Sequence, residues 1–95
     1  MRNILPKILY DKCKKNKNVI VLLGDIGVYG FSKKFKKSKN LYNMSTLEQS
    51  MMGFASGLAI RKKEVYVYSI APFVVERCFE QIKIDLCYQK MNVNI

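Results

Sequence analysis

Glu48 is the residue whose setting most invites a chemical reading. It lies in the stretch Tyr42 to Lys62, which reads as a strand end, a sharp entry and a helix with one apolar face. Ser45-Thr46-Leu47-Glu48 has the S-x-x-E spacing of a capping box, in which Ser45 caps the helix and Glu48 reaches back to a free backbone N–H. On local sequence that cap is the favoured role, and proton chemistry on a bound ligand is its rival. Asp25 is the second carboxylate of interest. It follows the apolar run Val19-Ile20-Val21-Leu22-Leu23 within the turn Gly24-Asp25-Ile26-Gly27. In open α/β sheets ligands sit outside the carboxyl ends of strands, where Asp25 falls. An Asp also shapes turns through its own backbone bond, and both readings stay open.

Other chemistries are excluded or weakly supported. The chain has no His, which removes Ser-His and Cys-His nucleophile pairs and His-ligated metals within it. Cys13, Cys78 and Cys87 lack metal-ligand spacing, and an odd count of thiols fits a reducing compartment. Cys78 and Cys87, nine positions apart at about 100° per residue, face opposite sides if they share a helix. Gly24, Gly27 and Gly30 match neither a P-loop nor a dinucleotide fingerprint.

The elements that must position these residues alternate. Residues 2–16 predict a helix from Ile4, Leu5, Ile8 and Leu9, with a cationic last turn. Residues 19–23 read as a strand buried on both faces, hence a parallel sheet with helices on each side. Phe31 to Lys39 reads as a short helix that turns Phe31 and Phe35 inward and its lysines to water. A short strand follows at Leu41-Tyr42-Asn43. The helix from about Thr46 to Ile60 has Leu47, Met51, Phe54, Ala55 and Leu58 on its apolar face, with Ser50, Gly53, Ser56 and Gly57 opposite. Two glycines four apart imply close approach of another backbone, either the domain's own sheet or a second chain. Val65 to Ile70 predicts a third strand, and Val74 to Gln89 a helix that buries Val75, Cys78, Phe79, Ile82, Leu86 and Tyr88. Asn92 to Ile95 begins a fourth strand. The expectation is one α/β domain: three layers, with a mostly parallel sheet of about four strands flanked by helices. A chain finishing on a strand start reads as incomplete.

Ninety-five residues make one small domain. The longest apolar run is far short of a membrane span, and Met1 to Lys7 turns polar too soon for a signal peptide, so the cytoplasm is the default. The net charge of +10 comes from Lys runs, and only three of the seventeen basic residues are Arg. That composition favours solvated faces over a nucleic-acid site, which leans on Arg forks for base edges.

Three segments then carry a resemblance. They are Gly24-Asp25-Ile26-Gly27; Asn43 through Glu48-Gln49 with Gly53-Phe54-Ala55-Ser56-Gly57-Leu58-Ala59; and Tyr68-Ser69-Ile70-Ala71-Pro72-Phe73 with Arg77-Cys78 and Glu80-Gln81-Ile82. In order and spacing they resemble the pyrimidine-binding domain of transketolase-like thiamine diphosphate enzymes, above all the C-terminal section of split transketolases. The match runs from about Val19 to Ile95, and residues 1–95 look like the N-terminal half of that domain, truncated. The resemblance implies that Glu48 is catalytic and holds N1′ of the cofactor's aminopyrimidine, sharing a proton there. Such sharing needs a dry carboxylate, and Leu47, Met51 and Met52 suit it. Phe73 would stack on the pyrimidine, and Asp25 and Ile70 would lie beside the cofactor. The diphosphate and its Mg²⁺ would be held by a partner domain, on a diphosphate-binding subunit in a homo- or hetero-oligomer, so this chain provides no metal ligands. The reaction implied is two-carbon ketol transfer between sugar phosphates. The family usually has Gly before the apolar residue ahead of its Glu, and here Ser45-Thr46 stand instead. The runners-up are a 1-deoxyxylulose-5-phosphate synthase, a 2-oxoacid dehydrogenase β chain, an inactive remnant and a Lys-rich polyanion-binding module.

Overall fold

A central strand with no face left for water organises the protein. The computed structural model describes residues 4–95, so the expected helix start at Arg2 and Asn3 lies outside the described residues. In β1 (Val19–Leu23) all five side chains are buried, as a continuous apolar run in a parallel sheet requires. β1 is flanked by β2 (Leu41–Asn43) and β3 (Glu64–Tyr68), with β4 (Val93–Asn94) outside β3. The order is β2-β1-β3-β4, and every pairing is parallel. Val21 stands opposite Leu41 on one side and Tyr66 on the other, and Val65 pairs with Val93.

The alternation of strand side chains divides the core in two. Val19, Val21 and Leu23 point to the face covered by α1 (Ile4–Lys15) and α2 (Lys33–Lys36), where they meet Leu9, Cys13, Phe31 and Phe35. Ile20 and Leu22, with Val65 and Val67, point to the other face, against α3 (Glu48–Ile60) and the C-terminal helical segment. The result is the expected three-layer α/β fold. Phe35 contacts Tyr10 and Phe31 at ring separations of 5.2 and 5.5 Å, which locks the short, Lys-rich α2 onto α1. The lysines of α2 are all exposed.

Four local expectations need correction. The helix predicted over 31–39 shrinks to Lys33–Lys36, because Ser32 caps it by accepting from the Phe35 N–H at 3.1 Å. Phe31 still packs inward, from the segment before the cap. The helix predicted from Thr46 begins at Glu48, and Ser45 is not its cap. Gly53 and Gly57 do not pack on the sheet: both are exposed, and a Cβ at either would meet nothing within 4 Å. Ser56, by contrast, is buried and donates to the Asp85 carbonyl at 3.0 Å.

The segment predicted as one helix over 74–89 is helical only in pieces. Wide turns at Pro72–Glu76 and Ile82–Tyr88 flank a short α4 (Phe79–Gln81). The Arg77 N–H bonds to the Pro72 carbonyl at 3.0 Å, five residues back. That extra residue shifts the helical phase, so Val74, Cys78 and Leu86 are buried, with Ile82 half-buried. Val75, Phe79 and Tyr88, expected inside, are exposed. Cys78 is buried and Cys87 exposed. Among the described residues no helix is long and apolar enough to cross a membrane.

Candidate functional site

The carboxyl ends of β1, β2 and β3 converge on the start of α3. β1 ends at Gly24, whose N–H bonds to the Tyr68 carbonyl of β3 at 2.9 Å. A side chain there would collide, since an added Cβ would stand 2.6 Å from Ser69 Oγ. β2 continues through Met44, whose N–H bonds to the Leu23 carbonyl at 2.8 Å. Ser45 then takes φ 56°, the left-handed conformation that Gly adopts at no cost. The Ser45 N–H bonds to Asn43 Oδ1 at 2.9 Å, and its carbonyl accepts from the Asp25 N–H at 3.1 Å. A non-glycine residue, Ser45, therefore forms this left-handed turn.

This path sets Glu48 at the first position of α3, with Leu47 as an N-cap that makes no side-chain bond. The capping-box reading fails for that reason. Ser45 lies too early and in the wrong conformation, and the Glu48 carboxylate goes elsewhere. It is 2% exposed, and Oε2 accepts from Arg77 Nη1 at 3.1 Å. Met51 and Met52, which follow it on α3, are fully buried in the core. Leu47, expected to help keep the carboxylate dry, is 58% exposed and does not.

Arg77 has a second contact. Its guanidinium lies over the Phe73 ring, 4.2 Å from the centroid. Phe73 and Glu48 are thereby linked through one flat cation that is itself 45% exposed. The Arg77 carbonyl accepts from Gln49 Nε2 at 3.1 Å, which ties this turn to the start of α3. A shallow cleft opens here, lined by Thr46, Leu47, Glu48, Gln49, Ser50 and Arg77. Cys78 lies just below: its Sγ donates to the Phe73 carbonyl at 3.2 Å. Burial pushes its thiol pKa up, the Glu48 charge adds to that, and Arg77 opposes it.

Of the four residues singled out by sequence, Glu48 and Phe73 are brought together. Ile70, at the exit of β3, is 38% exposed, and its carbonyl accepts from the N–H groups of Phe73 and Val74. Asp25 is exposed, and its carboxylate accepts from Asn43 Nδ2 at 3.2 Å. Its bonds hold together the two strand exits that lead to Glu48. The sequence reading quotes Arg77 as part of the resemblance and gives it no role at the site. Its position four residues after Phe73 is the available signal, since i and i+4 share a helix face. Ser69 is a second residue that sequence reasoning misses. Its Oγ is buried without a hydrogen-bond partner, and Gly24 faces both it and Glu48 Oε1.

A dry carboxylate, an aromatic face and an unsatisfied hydroxyl suit a flat, nitrogen-rich ring. The carboxylate accepts from a ring N–H, the aromatic stacks, and the hydroxyl bonds to either kind of polar atom. The pairing of a guanidinium with both Glu48 and Phe73 displays that complementarity within the protein.

No family model matches the chain. Its sequence is 30% identical over 99 residues to a subunit of the apulose-4-phosphate transketolase of Actinobacillus succinogenes, covering 100% of this chain and 31% of that protein. It is 33% identical over 97 residues to a putative transketolase C-terminal section of Methanocaldococcus jannaschii, again with 100% and 31% coverage. Among solved structures, a split gene transketolase described as an inactive beta4 tetramer superposes with a TM-score of 0.77 at 32% identity, over 97% of this chain and 31% of that one. The chain thus spans about a third of the length of the relatives it matches. Sequence and fold similarity run along its whole length, and in both this chain resembles one section of the split transketolases.

Proposed function

We infer that this chain forms one wall of a thiamine diphosphate site, as part of a pyrimidine-binding domain, and that Glu48 is its catalytic carboxylate. The observation that carries the reading is the burial of Glu48 beside Phe73, with a flat cation already bound to both. Burying a carboxylate is costly even with a partner, and Arg77, which pairs with Glu48, is itself half-exposed. Glu48 would accept a hydrogen bond from the aminopyrimidine and hold a proton at that ring nitrogen. Phe73 would fix the ring plane. Ser69 Oγ and the Ile70 region would line its edge, and Asp25 with Asn43 would hold the backbone approach rigid. When bound, the cofactor supplies the carbon nucleophile of the reaction.

A partner subunit would hold the diphosphate and Mg²⁺, in a homo- or hetero-oligomer, and its backbone would approach the exposed Gly53 and Gly57 of α3. The reaction would be two-carbon ketol transfer between sugar phosphates, in the cytoplasm. The test mixes the chain with a diphosphate-binding subunit and titrates thiamine diphosphate with Mg²⁺ by calorimetry. Saturable binding that weakens about fivefold to tenfold in Phe73→Ala is expected, from an aromatic stacking contact worth about 1 kcal/mol. Absence of saturable binding, or binding indifferent to Phe73, would contradict the assignment.

A further inference from the structure

Arg77 makes the same two contacts that the proposed site reserves for an aminopyrimidine. Its Nη1 donates to Glu48 Oε2 at 3.1 Å, and its guanidinium lies 4.2 Å from the centre of the Phe73 ring. A guanidinium is flat, rich in N–H donors and attracted to both carboxylates and aromatic faces. An aminopyrimidine with a protonated ring nitrogen is flat, donates to a carboxylate and stacks on the same face. The two groups cannot occupy one face of the Phe73 ring together.

We propose that the Arg77 side chain is a displaceable plug, which fills the ring's seat between Glu48 and Phe73 until an aminopyrimidine enters. The inference rests on the reading of Glu48 and Phe73 given above. Three features fit a plug better than a fixed strut. Arg77 is 45% exposed whereas Glu48 is 2% exposed, so the cation can withdraw into water and the carboxylate cannot. The backbone beneath it is anchored independently: the Arg77 carbonyl accepts from Gln49 Nε2, and its N–H bonds to Pro72 O. The side chain can therefore swing while the turn stays in place. The guanidinium also makes a single hydrogen bond to the carboxylate and leaves Glu48 Oε1 outside the pair.

The plug has two consequences. It keeps a buried carboxylate paired while no cofactor is present, when an unpaired charge would weaken the fold. It also makes entry selective, because a ring that cannot donate to Glu48 leaves that carboxylate without a partner when the plug withdraws. A plug that is closed nine-tenths of the time reduces apparent affinity about tenfold, so its removal should tighten binding by that factor.

The experiment titrates thiamine diphosphate with Mg²⁺ into the chain plus its diphosphate-binding partner, for the wild type, Arg77→Ala, Arg77→Lys and Glu48→Gln. Circular dichroism verifies that each variant is folded. In parallel, nitrogen-15 spectra of the chain follow the Arg77 Nε–H resonance as 4-amino-2-methylpyrimidine is added. The proposal expects Arg77→Ala to bind about tenfold tighter, with a faster on-rate. Arg77→Lys, which keeps the charge but not the flat stacking group, should fall between it and the wild type. The Arg77 Nε–H resonance should move toward that of a solvated arginine as the pyrimidine binds. Equal or weaker binding by Arg77→Ala, where Glu48→Gln still impairs binding, would overturn the plug and leave the cofactor site standing. Should no variant bind, both readings fall together. If Arg77→Ala does not fold, Arg77→Lys decides the matter: binding no tighter than wild type overturns the plug.

Discussion

Gly24→Ala perturbs the wall behind Glu48 with a single methyl group. Gly24 has φ −73° and ψ 149°, an extended conformation open to any residue, so no backbone strain arises from the substitution itself. The new Cβ would stand 2.6 Å from Ser69 Oγ and 2.9 Å from Ser69 Cβ. The hydroxyl can rotate away, but the carbon cannot. Carbon–carbon contacts relax only beyond about 3.5 Å, so the ends of β1 and β3 must part by roughly half an ångström. Their separation is held by the bond from Gly24 N–H to the Tyr68 carbonyl at 2.9 Å. Overpacking of this kind costs about 1–3 kcal/mol. Restricting the unfolded chain returns about 0.4–1 kcal/mol. The net expectation is a loss of about 1–2 kcal/mol, read as a lower urea midpoint at unchanged slope. Ser69→Ala should relieve the loss in part, because it removes only Oγ, and Ser69→Gly should relieve most of it. An unchanged midpoint for Gly24→Ala, or a loss undiminished in the Ser69→Gly background, would refute the placement of Ser69 against Gly24.

Three further outcomes follow from the packing. Ser45→Gly should stabilise the chain by about 0.5–1 kcal/mol, since a left-handed φ costs a side chain about 1–2 kcal/mol and Gly offsets part of the gain through its unfolded-state entropy; denaturant midpoints check this. Gly53→Ala should stabilise the isolated chain by roughly 1 kcal/mol, because the added Cβ meets nothing within 4 Å, yet weaken assembly with a diphosphate-binding partner in sedimentation experiments. At about pH 8 a thiol reagent should find one fast site, Cys87, which is exposed. Cys13 and Cys78 are buried, and burial pushes the Cys13 thiol up to about 11 and raises that of Cys78, so both should react only on unfolding. Because these pKa values are raised in the fold, the stability they carry is complete below about pH 8.5 and falls as pH climbs toward about 11.

The layers are legible in the sequence because strand and helix periods are long-range properties of pattern. Val19 to Leu23 announces a strand buried on both faces, and the structure places all five side chains inside. The Phe31 and Phe35 spacing finds the anchor of α2 even though the helix itself is one turn long. The C-terminal segment is misphased because wide turns at Pro72–Glu76 and Ile82–Tyr88, with bonds that reach five residues back, change the spacing of its buried face, and composition carries no sign of them. Glu48 shows the opposite limitation. Local spacing argues for a cap, and only the conformation of Ser45, set by contacts with Asn43 and Asp25, removes that role. Arg77 is hidden for a similar reason: its partner lies 29 residues away in sequence, across a strand.

The central claim is that the buried carboxylate of Glu48 serves a ligand. Its most direct test compares wild type with Glu48→Gln for thiamine diphosphate and Mg²⁺ binding in the presence of the diphosphate-binding subunit. The amide keeps the shape but cannot hold a charge or take up the ring's proton. A hydrogen bond to a charged group is worth about 1.5–3 kcal/mol, so affinity should fall about tenfold to a hundredfold while the fold stays intact. Equal affinity for the two proteins would contradict the account.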